Sequence, residues 1–331
     1  MEIRHLRYFI AVAEELSFSR AAKQCNVSVP PLSRQIRQLE EELGTRLFVR
    51  DKRRVALTDA GHALLLQAKS IANQIARIPD SIRLAETGRA GAVRIGIGLH
   101  LAERLSPALM AYSRQFPNVE MECRDIFSAL QNRALVEGEI DVGFLRPRID
   151  PVHLNSEALF EERLVVHVNK RSPLARRKAL RVSDLAGKPL VVHSRSVSSG
   201  LYDEILRLYA KAGATPEIVQ LPPPVPHGAA QRFLMASRDG VFIVPDEAES
   251  YPASNSHVTA VPLDEPGAKI DVHMAWRKNE TSGAVLTFLD AMRNLFRGRT
   301  LSGARKQGKT SGATPRKALA SRVTKPVQTK Q

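Results

Sequence analysis

Two arginines fall on the exposed face of a helix that the sequence predicts to run to Leu43. At 100° per residue, Leu32 and Ile36 share an apolar face, and Arg34 and Arg37 lie roughly opposite. Guanidinium groups near the N-terminus of such a helix can bond to base edges and phosphates, where the helix dipole is also positive. The pattern indicates contact with nucleic acid; the alternative is an amphipathic helix whose charges are merely solvated.

The elements around this helix favour the first interpretation. Apolar spacing predicts a helix over residues 2–15, a short helix over 20–24, a turn at 26–28 and Gly44 as the C-terminal stop of the third helix. Two helices joined by a tight turn are typical of a helix-turn-helix. Two extended runs around a basic turn at 50–54 then predict a wing, or else a solvated hairpin. The predicted DNA-contacting residues are Ser28, Val29, Pro30, Pro31, Ser33, Arg34, Arg37, Arg50, Arg53 and Arg54.

A second group of residues follows predicted strand ends further along the chain. From residue 92, strands alternate with helices, which predicts an α/β body with mostly parallel sheets in two lobes. Ligands of open α/β folds lie beyond strand ends, near helix N-termini. An arginine with hydroxyls suits a carboxylate, so we expect a small organic anion as effector. The predicted effector-binding residues are Leu99, His100, Ser128, Arg146, His193 and Ser194.

Each of these residues also has a structural explanation. Ser128 and Gln131 form a capping-box pattern, in which the hydroxyl would serve its own helix. Arg146 precedes Pro147 and Arg148, which is compatible with a surface loop. A lone histidine is more often structural than a ligand.

A long helix is predicted to join the two parts. Thr58 is its expected N-cap, and an apolar stripe follows at spacings of three and four residues, as in a coiled coil. This stripe predicts a dimerisation helix, with packing on its own domain as the alternative; Pro79 should kink or end the helix. The stripe consists of Leu64, Ala68, Ile71, Ile75, Ile78 and Ile82.

Charge is distributed unevenly over the 331 residues, whose net charge is +15. Residues 1–90 hold 15 Lys/Arg and 10 Asp/Glu, and residues 91–296 hold 24 of each. Residues 297–331 hold 10 Lys/Arg and no Asp/Glu. Basic ends suggest a polyanionic partner, most simply nucleic acid, whereas a neutral body suggests another task. The predicted order is a helix-turn-helix over 1–58, a linker helix over 59–88, an effector domain over 91–296 and a basic disordered tail over 297–331. Lobe I takes about 91–160 and 266–296, and lobe II about 161–265.

Other function classes find little support in the sequence. There is no phosphate loop, nucleophile elbow or metal-ligand cluster, so we expect neither an enzyme nor a cofactor. The two cysteines, Cys25 and Cys123, cannot form a disulfide framework. No run approaches the length of a membrane helix and no secretory signal is visible, so a cytoplasmic location is expected. A non-specific nucleic-acid binder that uses the basic tail remains the alternative to a specific regulator.

Several short motifs, in this order along the chain, resemble those of the LysR-type transcriptional regulators. The sequences SFSRAA at 17–22, PPLSRQI at 30–36, LEEELG at 39–44, LFVR at 47–50 and LTDAG at 57–61 carry the resemblance, which continues more weakly to about residue 296. It implies a winged helix-turn-helix, a dimerising linker helix and a two-lobed effector domain like a periplasmic binding protein. It also implies homodimers or homotetramers on promoter DNA, a small-molecule effector, and RNA polymerase as a further candidate partner.

Two details refine this resemblance. The double proline is most similar to the branch that regulates aromatic-compound degradation, whose effectors are often benzoate- or muconate-like anions. Many members carry glutamine where this chain has Val29. Valine cannot form a bidentate contact with adenine but can pack on a thymine methyl, so the base preference there does not transfer.

Overall fold

The N-terminal unit is a three-helix helix-turn-helix followed by a short wing. The computed structural model describes residues 1–50, 55–79, 82, 91–98, 101–221, 239–246 and 257–306. Its first helices are α1 (Ile3–Glu15), α2 (Phe18–Gln24) and α3 (Val29–Leu43), and strands β1 (Phe48–Arg50) and β2 (Val55–Leu57) pair antiparallel.

The apolar face of α3 forms the core of this unit, as the sequence predicts. Leu32, Ile36 and Leu39 are fully buried, and the rings of Phe9 and Phe48 pack with their centroids 5.4 Å apart. Gly44 ends α3 in the left-handed conformation that favours glycine.

Helix α4 (Asp59–Ala76) leaves the wing. The side chain of Thr58 accepts a hydrogen bond from the amide of Gly61 at 3.0 Å, which confirms the predicted N-cap. The helix ends at Ala76, short of the stripe's last members. Because Pro79 lacks an amide hydrogen, a helix cannot continue through this position with its full set of bonds. Residues 83–88 of the predicted linker lie outside the described residues.

Lobe I is an α/β layer built on parallel strands. Its elements are β3 (Gly91–Ile97), α5 (Ala102–Gln115), β4 (Val119–Asp125), α6 (Ser128–Val136), β5 (Val142–Leu145) and α8 (Gly283–Lys306). β3 pairs in parallel with both β4 and β5. Helices α5 and α8 cover this sheet, where Tyr112 and Phe288 are fully buried. Helix α8 continues to Lys306, past the expected start of the basic tail at residue 297. Residues 307–331 lie outside the described residues, so the disordered tail stays a prediction.

Lobe II has its own apolar core. Its elements are β7 (Pro189–His193), α7 (Ser199–Lys211), β8 (Glu217–Leu221), β9 (Phe242–Pro245) and β10 (Val258–Pro262), with short 3₁₀ turns at Pro173–Arg176 and Val182–Leu185. β7 and β8 are parallel. The buried residues of α7, among them Ile205 and Leu208, pack on this core.

Two long strands connect the lobes. β6 (Leu154–Asn169) and β11 (Lys269–Arg277) pair antiparallel, with a register shift at Val272 and His273. β6 also pairs antiparallel with β9 and β10, so the order of the main sheet is β10-β6-β11-β5-β3-β4 with β9 on β6. The expectation of mostly parallel sheets is therefore wrong. The reason is that the chain crosses between lobes on extended strands, which adds antiparallel pairs to a parallel core.

Candidate DNA-binding and effector sites

The start of α3 presents the predicted recognition surface. Ser28 is its N-cap residue but makes no side-chain cap bond, and the two prolines occupy the first turn, where helix amides have no intrahelical acceptor. Arg34 and Arg37 are exposed and form no ion pair with any residue that the structure describes. The surface residues here are Ser28, Val29, Pro30, Pro31, Ser33, Arg34 and Arg37, of which only Ser33 is half-buried.

The wing is fixed to α3 by a carboxylate that the sequence reasoning missed. Glu40 Oε1 accepts hydrogen bonds from the amides of Leu47 at 2.9 Å and Phe48 at 3.2 Å. A glutamate in the last turn of a helix gives no periodic signal for such a role. Arg50 ends β1 opposite Val55, and Arg53 and Arg54 lie outside the described residues.

Two helices from different lobes begin next to each other, and we call the region around their first residues, Ser128 and Ser199, the interlobe cleft. α6 of lobe I starts at Ser128 and α7 of lobe II at Ser199. The amide of Ala129 donates to the carbonyl of Val197 at 3.4 Å. Gly200 packs so closely on Pro147 that a Cβ atom would overlap the Pro147 carbonyl oxygen. Both helix N-termini contribute positive potential here.

Ser128 is buried at this cleft and does not cap its own helix. The N-cap position is Phe127, and no side-chain cap bond forms. Gln131 instead donates to the carbonyls of Ile126 at 2.9 Å and Phe144 at 3.1 Å. The capping-box alternative is therefore wrong, because the helix begins one residue earlier than that pattern requires.

Arg146 follows β5 as predicted, but its side chain is only 2% exposed and paired within the protein. Its Nε and Nη2 atoms donate to the same oxygen of Glu162, at 3.0 and 2.8 Å. The Glu162 carboxylate compensates the charge of this guanidinium, and the role of Arg146 in binding the effector stays a prediction. The surface-loop alternative is wrong, since the residue is buried.

Two further arginines lie at the rim of the cleft. Arg195 Nε donates to Asp203 at 2.9 Å, and Arg148 forms an ion pair with the other oxygen of Asp203. Two guanidinium groups thus share one carboxylate, and both are about half exposed. Arg148 has φ of +105°, and its carbonyl accepts a hydrogen bond from Asn132 at 2.7 Å. The sequence gives no spacing that pairs these residues.

The remaining predicted effector residues are placed as follows. His193 ends β7, is largely buried and meets the ring of Phe242 edge-on at 5.4 Å. Ser194 follows it, with its hydroxyl 2.7 Å from that of Ser196. Leu99 and His100 lie outside the described residues. Among the described residues, no group of three or more side chains is arranged to hold a metal ion.

The predicted dimerisation stripe divides into two parts. Leu64 and Ile71 pack against the core of the N-terminal unit, and Ala68 is fully buried there. Ile78 and Ile82, beyond the end of α4, are 53% and 56% exposed. The alternative of packing on its own domain thus describes the first part, while the second part is uncovered in a single chain.

Comparisons with known proteins agree with this organisation. Residues 3–62 match the family described as "Bacterial regulatory helix-turn-helix protein, lysR family", and residues 86–297 match the "LysR substrate binding domain". No helix in the described part of the chain has the length and apolar character needed to cross a bilayer.

Individual relatives cover nearly the whole chain. AlsR of Bacillus subtilis is 33% identical over 87% of this chain and 94% of its own length. BenM of Acinetobacter baylyi is 31% identical over 89% and 96%. The crystal structure of CbnR, a LysR family transcriptional regulator, covers 89% of this chain and 99% of its own at 27% identity and a TM-score of 0.64. A second structure shows CbnR complexed with its target DNA, at the same TM-score.

Proposed function

The chain belongs to the LysR family and is a DNA-binding transcriptional regulator with an effector-binding domain, and from this premise we propose how its sites divide the work. The exposed start of α3 reads the major groove, with Arg34 and Arg37 as its charged contacts and the wing on adjacent phosphates. Both guanidinium groups are exposed, and neither forms an ion pair with a residue that the structure describes, which supports this assignment.

The effector is a small organic anion that binds in the interlobe cleft. The observation that carries this is the convergence of the α6 and α7 N-termini from opposite lobes. Two helix N-termini favour negative charge, and Arg148 and Arg195 exceed their shared Asp203 by one positive charge. Because the charge of Arg146 is compensated by Glu162, the helix ends and the rim are the groups that hold the anion.

A titration with matched charged and neutral compounds tests the effector class. Benzoate and muconate, each compared with its amide, are added to the full chain while the thermal midpoint and calorimetric heat are recorded. We expect the anions alone to raise the midpoint, since a ligand that binds only the folded state stabilises it. Binding by the amides with none by the carboxylates would refute an anionic effector.

The remaining assignments follow from regulation of a promoter. We propose that the chain acts in the cytoplasm as a homodimer or homotetramer, with RNA polymerase as a candidate partner, and that its body catalyses no reaction. The uncovered Ile78 and Ile82 support self-association. Sedimentation of the purified chain at micromolar concentration checks the oligomeric state.

A further inference from the structure

One face of α4 is joined to lobe I by a set of polar contacts that we call the polar seam. Asn73 Nδ2 donates to the carbonyl of Glu137 at 2.6 Å, and Arg77 Nη1 donates to Asp141 at 2.9 Å. Arg77 also bonds to the carbonyl of Gly138. Asn73 and Arg77 are four residues apart, so they lie one above the other on the same face of the helix.

The seam extends into the DNA-binding unit. Lys69, one turn before Asn73, places its ammonium 2.7 Å from Glu14 of α1 and 3.7 Å from Glu137 of lobe I. Only 14% of the Lys69 side chain is exposed. Three parts of the chain, α1, α4 and lobe I, are therefore held by charges on one stripe of α4.

On the lobe I side, the seam is anchored in a buried network. The carboxylate of Asp141 is 4% exposed and accepts hydrogen bonds from Arg77, Arg94 and Arg277. Arg277 also donates to the carbonyls of Leu135 and Ile140, at 3.0 and 2.7 Å. Such a network is directional and is sensitive to the loss of any one member, unlike an exposed ion pair.

Helix α6 links this seam to the interlobe cleft. Its first residue, Ser128, lies at the contact with lobe II, and the turn after its last residue, Val136, carries Glu137 and Gly138 of the seam. Nine residues of helix span about 13 Å as a rigid unit. A displacement of one end of α6 therefore changes the position of the residues that hold α4.

We propose that α6 and the polar seam couple the position of lobe II to the orientation of α4, and so to the spacing of the DNA-binding units. This inference rests on the proposed function, because a cleft ligand would act by changing the same lobe contact. A shift between two positions of lobe II can change the orientation of α4 only if the contacts of α4 differ between them, and the polar seam supplies these contacts.

The first experiment measures the seam itself, by hydrogen exchange of the full chain. In the Asn73→Ala/Arg77→Gln variant, the amides of residues 69–76 should exchange about tenfold faster. The reason is that the loss of a hydrogen bond to a charged group lowers the free energy of local opening by an amount that corresponds to about this change in rate. The control is Gln67→Ala, which alters an exposed residue of the same helix. Equal exchange in all three proteins would overturn the proposal.

The second experiment perturbs the cleft without any ligand. Gly200→Ala places a methyl group against the Pro147 carbonyl and so forces the lobes apart there, whereas Gly283→Ala adds a methyl to open space at the start of α8. We expect Gly200→Ala to change exchange of residues 69–76 by about threefold or more, an effect that Gly283→Ala lacks. The change should disappear in the Asn73→Ala/Arg77→Gln background.

Two outcomes contradict the proposal: no response of α4 to Gly200→Ala, or the same response after the seam is removed. If Gly200→Ala does not fold, the same contact is restrained by a disulfide between Ala129→Cys and Val197→Cys. This chain also carries Cys25→Ser and Cys123→Ser. Oxidation of the new cysteine pair then takes the place of the added methyl group as the perturbation. No small molecule is involved, so the result is independent of whether the effector is an anion.

Discussion

At the scale of single residues, charge acts differently in the DNA-binding unit and in lobe I. Arg34 stands exposed on a helix start, whereas Arg146 is buried on Glu162. Because the Arg146–Glu162 pair is desolvated, the loss of either partner would leave an uncompensated buried charge. The guanidinium of Arg34 is instead accessible to an external anion. The same side-chain type therefore contributes to binding in one place and to folding in the other.

Replacement of Arg34 by alanine should weaken specific DNA binding without affecting folding. If its guanidinium pairs with a guanine, the loss is about 1–3 kcal/mol, that is, about 5- to 150-fold in the dissociation constant. Footprinting on a selected operator and thermal unfolding provide the two measurements. Arg124→Ala, an exposed arginine of β4, is the control. An Arg34→Ala protein with unchanged affinity and footprint would remove Arg34 from the recognition surface.

Replacement of Arg146 by alanine should destabilise the protein, because it leaves the Glu162 carboxylate buried without this partner. We expect a loss of about 3–5 kcal/mol in the free energy of unfolding, measured by urea denaturation. The exposed pair Glu122–Arg124 is the matched control, and Arg124→Ala should cost less than about 1 kcal/mol. Joint replacement, Arg146→Met with Glu162→Leu, should recover most of the loss. Similar costs for Arg146→Ala and Arg124→Ala would contradict a structural role for the buried pair.

His167 makes stability depend on pH. Burial on β6 lowers the pKa of His167 from 6.5 to about 4, although Asp246 acts in the opposite direction. The unfolded chain therefore binds a proton between these values that the folded chain does not, and stability falls as pH drops from about 6.5 towards 4. Between pH 7 and 5 the loss from this group is about 2 kcal/mol. Urea denaturation at both pH values should show a smaller decrease for His167→Gln; an identical decrease would exclude His167 as its source.

At the scale of elements, residue spacing predicted those features of helices that depend on residues close together in the sequence. The face of α3, the Gly44 stop and the Thr58 cap depend on residues within a few positions, so spacing alone located them. Non-local features were not accessible in this way. The length of β6 and its antiparallel partners depend on strands about a hundred residues away. The Arg146–Glu162 pair joins the segment after β5 to β6, which are not neighbours in the sheet.

The end of the linker should be the part of the stripe that joins two chains. Ile78→Asp with Ile82→Asp should lower dimer stability, because charges would enter an interface that a partner covers, while the N-terminal core stays intact. Sedimentation measures the dimer and circular dichroism the fold. Ile71→Asp is a poor substitute because Ile71 packs on its own domain, and Gln74→Asp serves as the exposed control. An unchanged sedimentation coefficient would place the interface elsewhere.

At the scale of the whole molecule, the domain order was predictable because charge and periodicity change along the chain. The basic head, neutral body and basic end correspond to the helix-turn-helix, the two-lobed body, and the last turns of α8 with the segment that follows them. How the parts contact each other was not predictable. Lys69, Asn73 and Arg77 are an ordinary polar face of a helix in the sequence, and only the fold brings them to lobe I.

The basic C-terminal segment should add DNA affinity that is independent of sequence. Residues 307–331 contain six Lys/Arg and no Asp/Glu, while the other four basic residues after Phe296 belong to α8. Each phosphate that a cation neutralises contributes about −0.9 to the slope of log affinity against log salt. Deletion of 307–331 should therefore make the slope less steep by up to about five, while the footprinted sequence stays the same. A chain with these six residues replaced by glutamine should behave like the deletion, whereas a chain with the segment scrambled should behave like the wild type, since the effect depends on charge and not on order. A slope that is identical in all four proteins would show that the segment does not contact DNA.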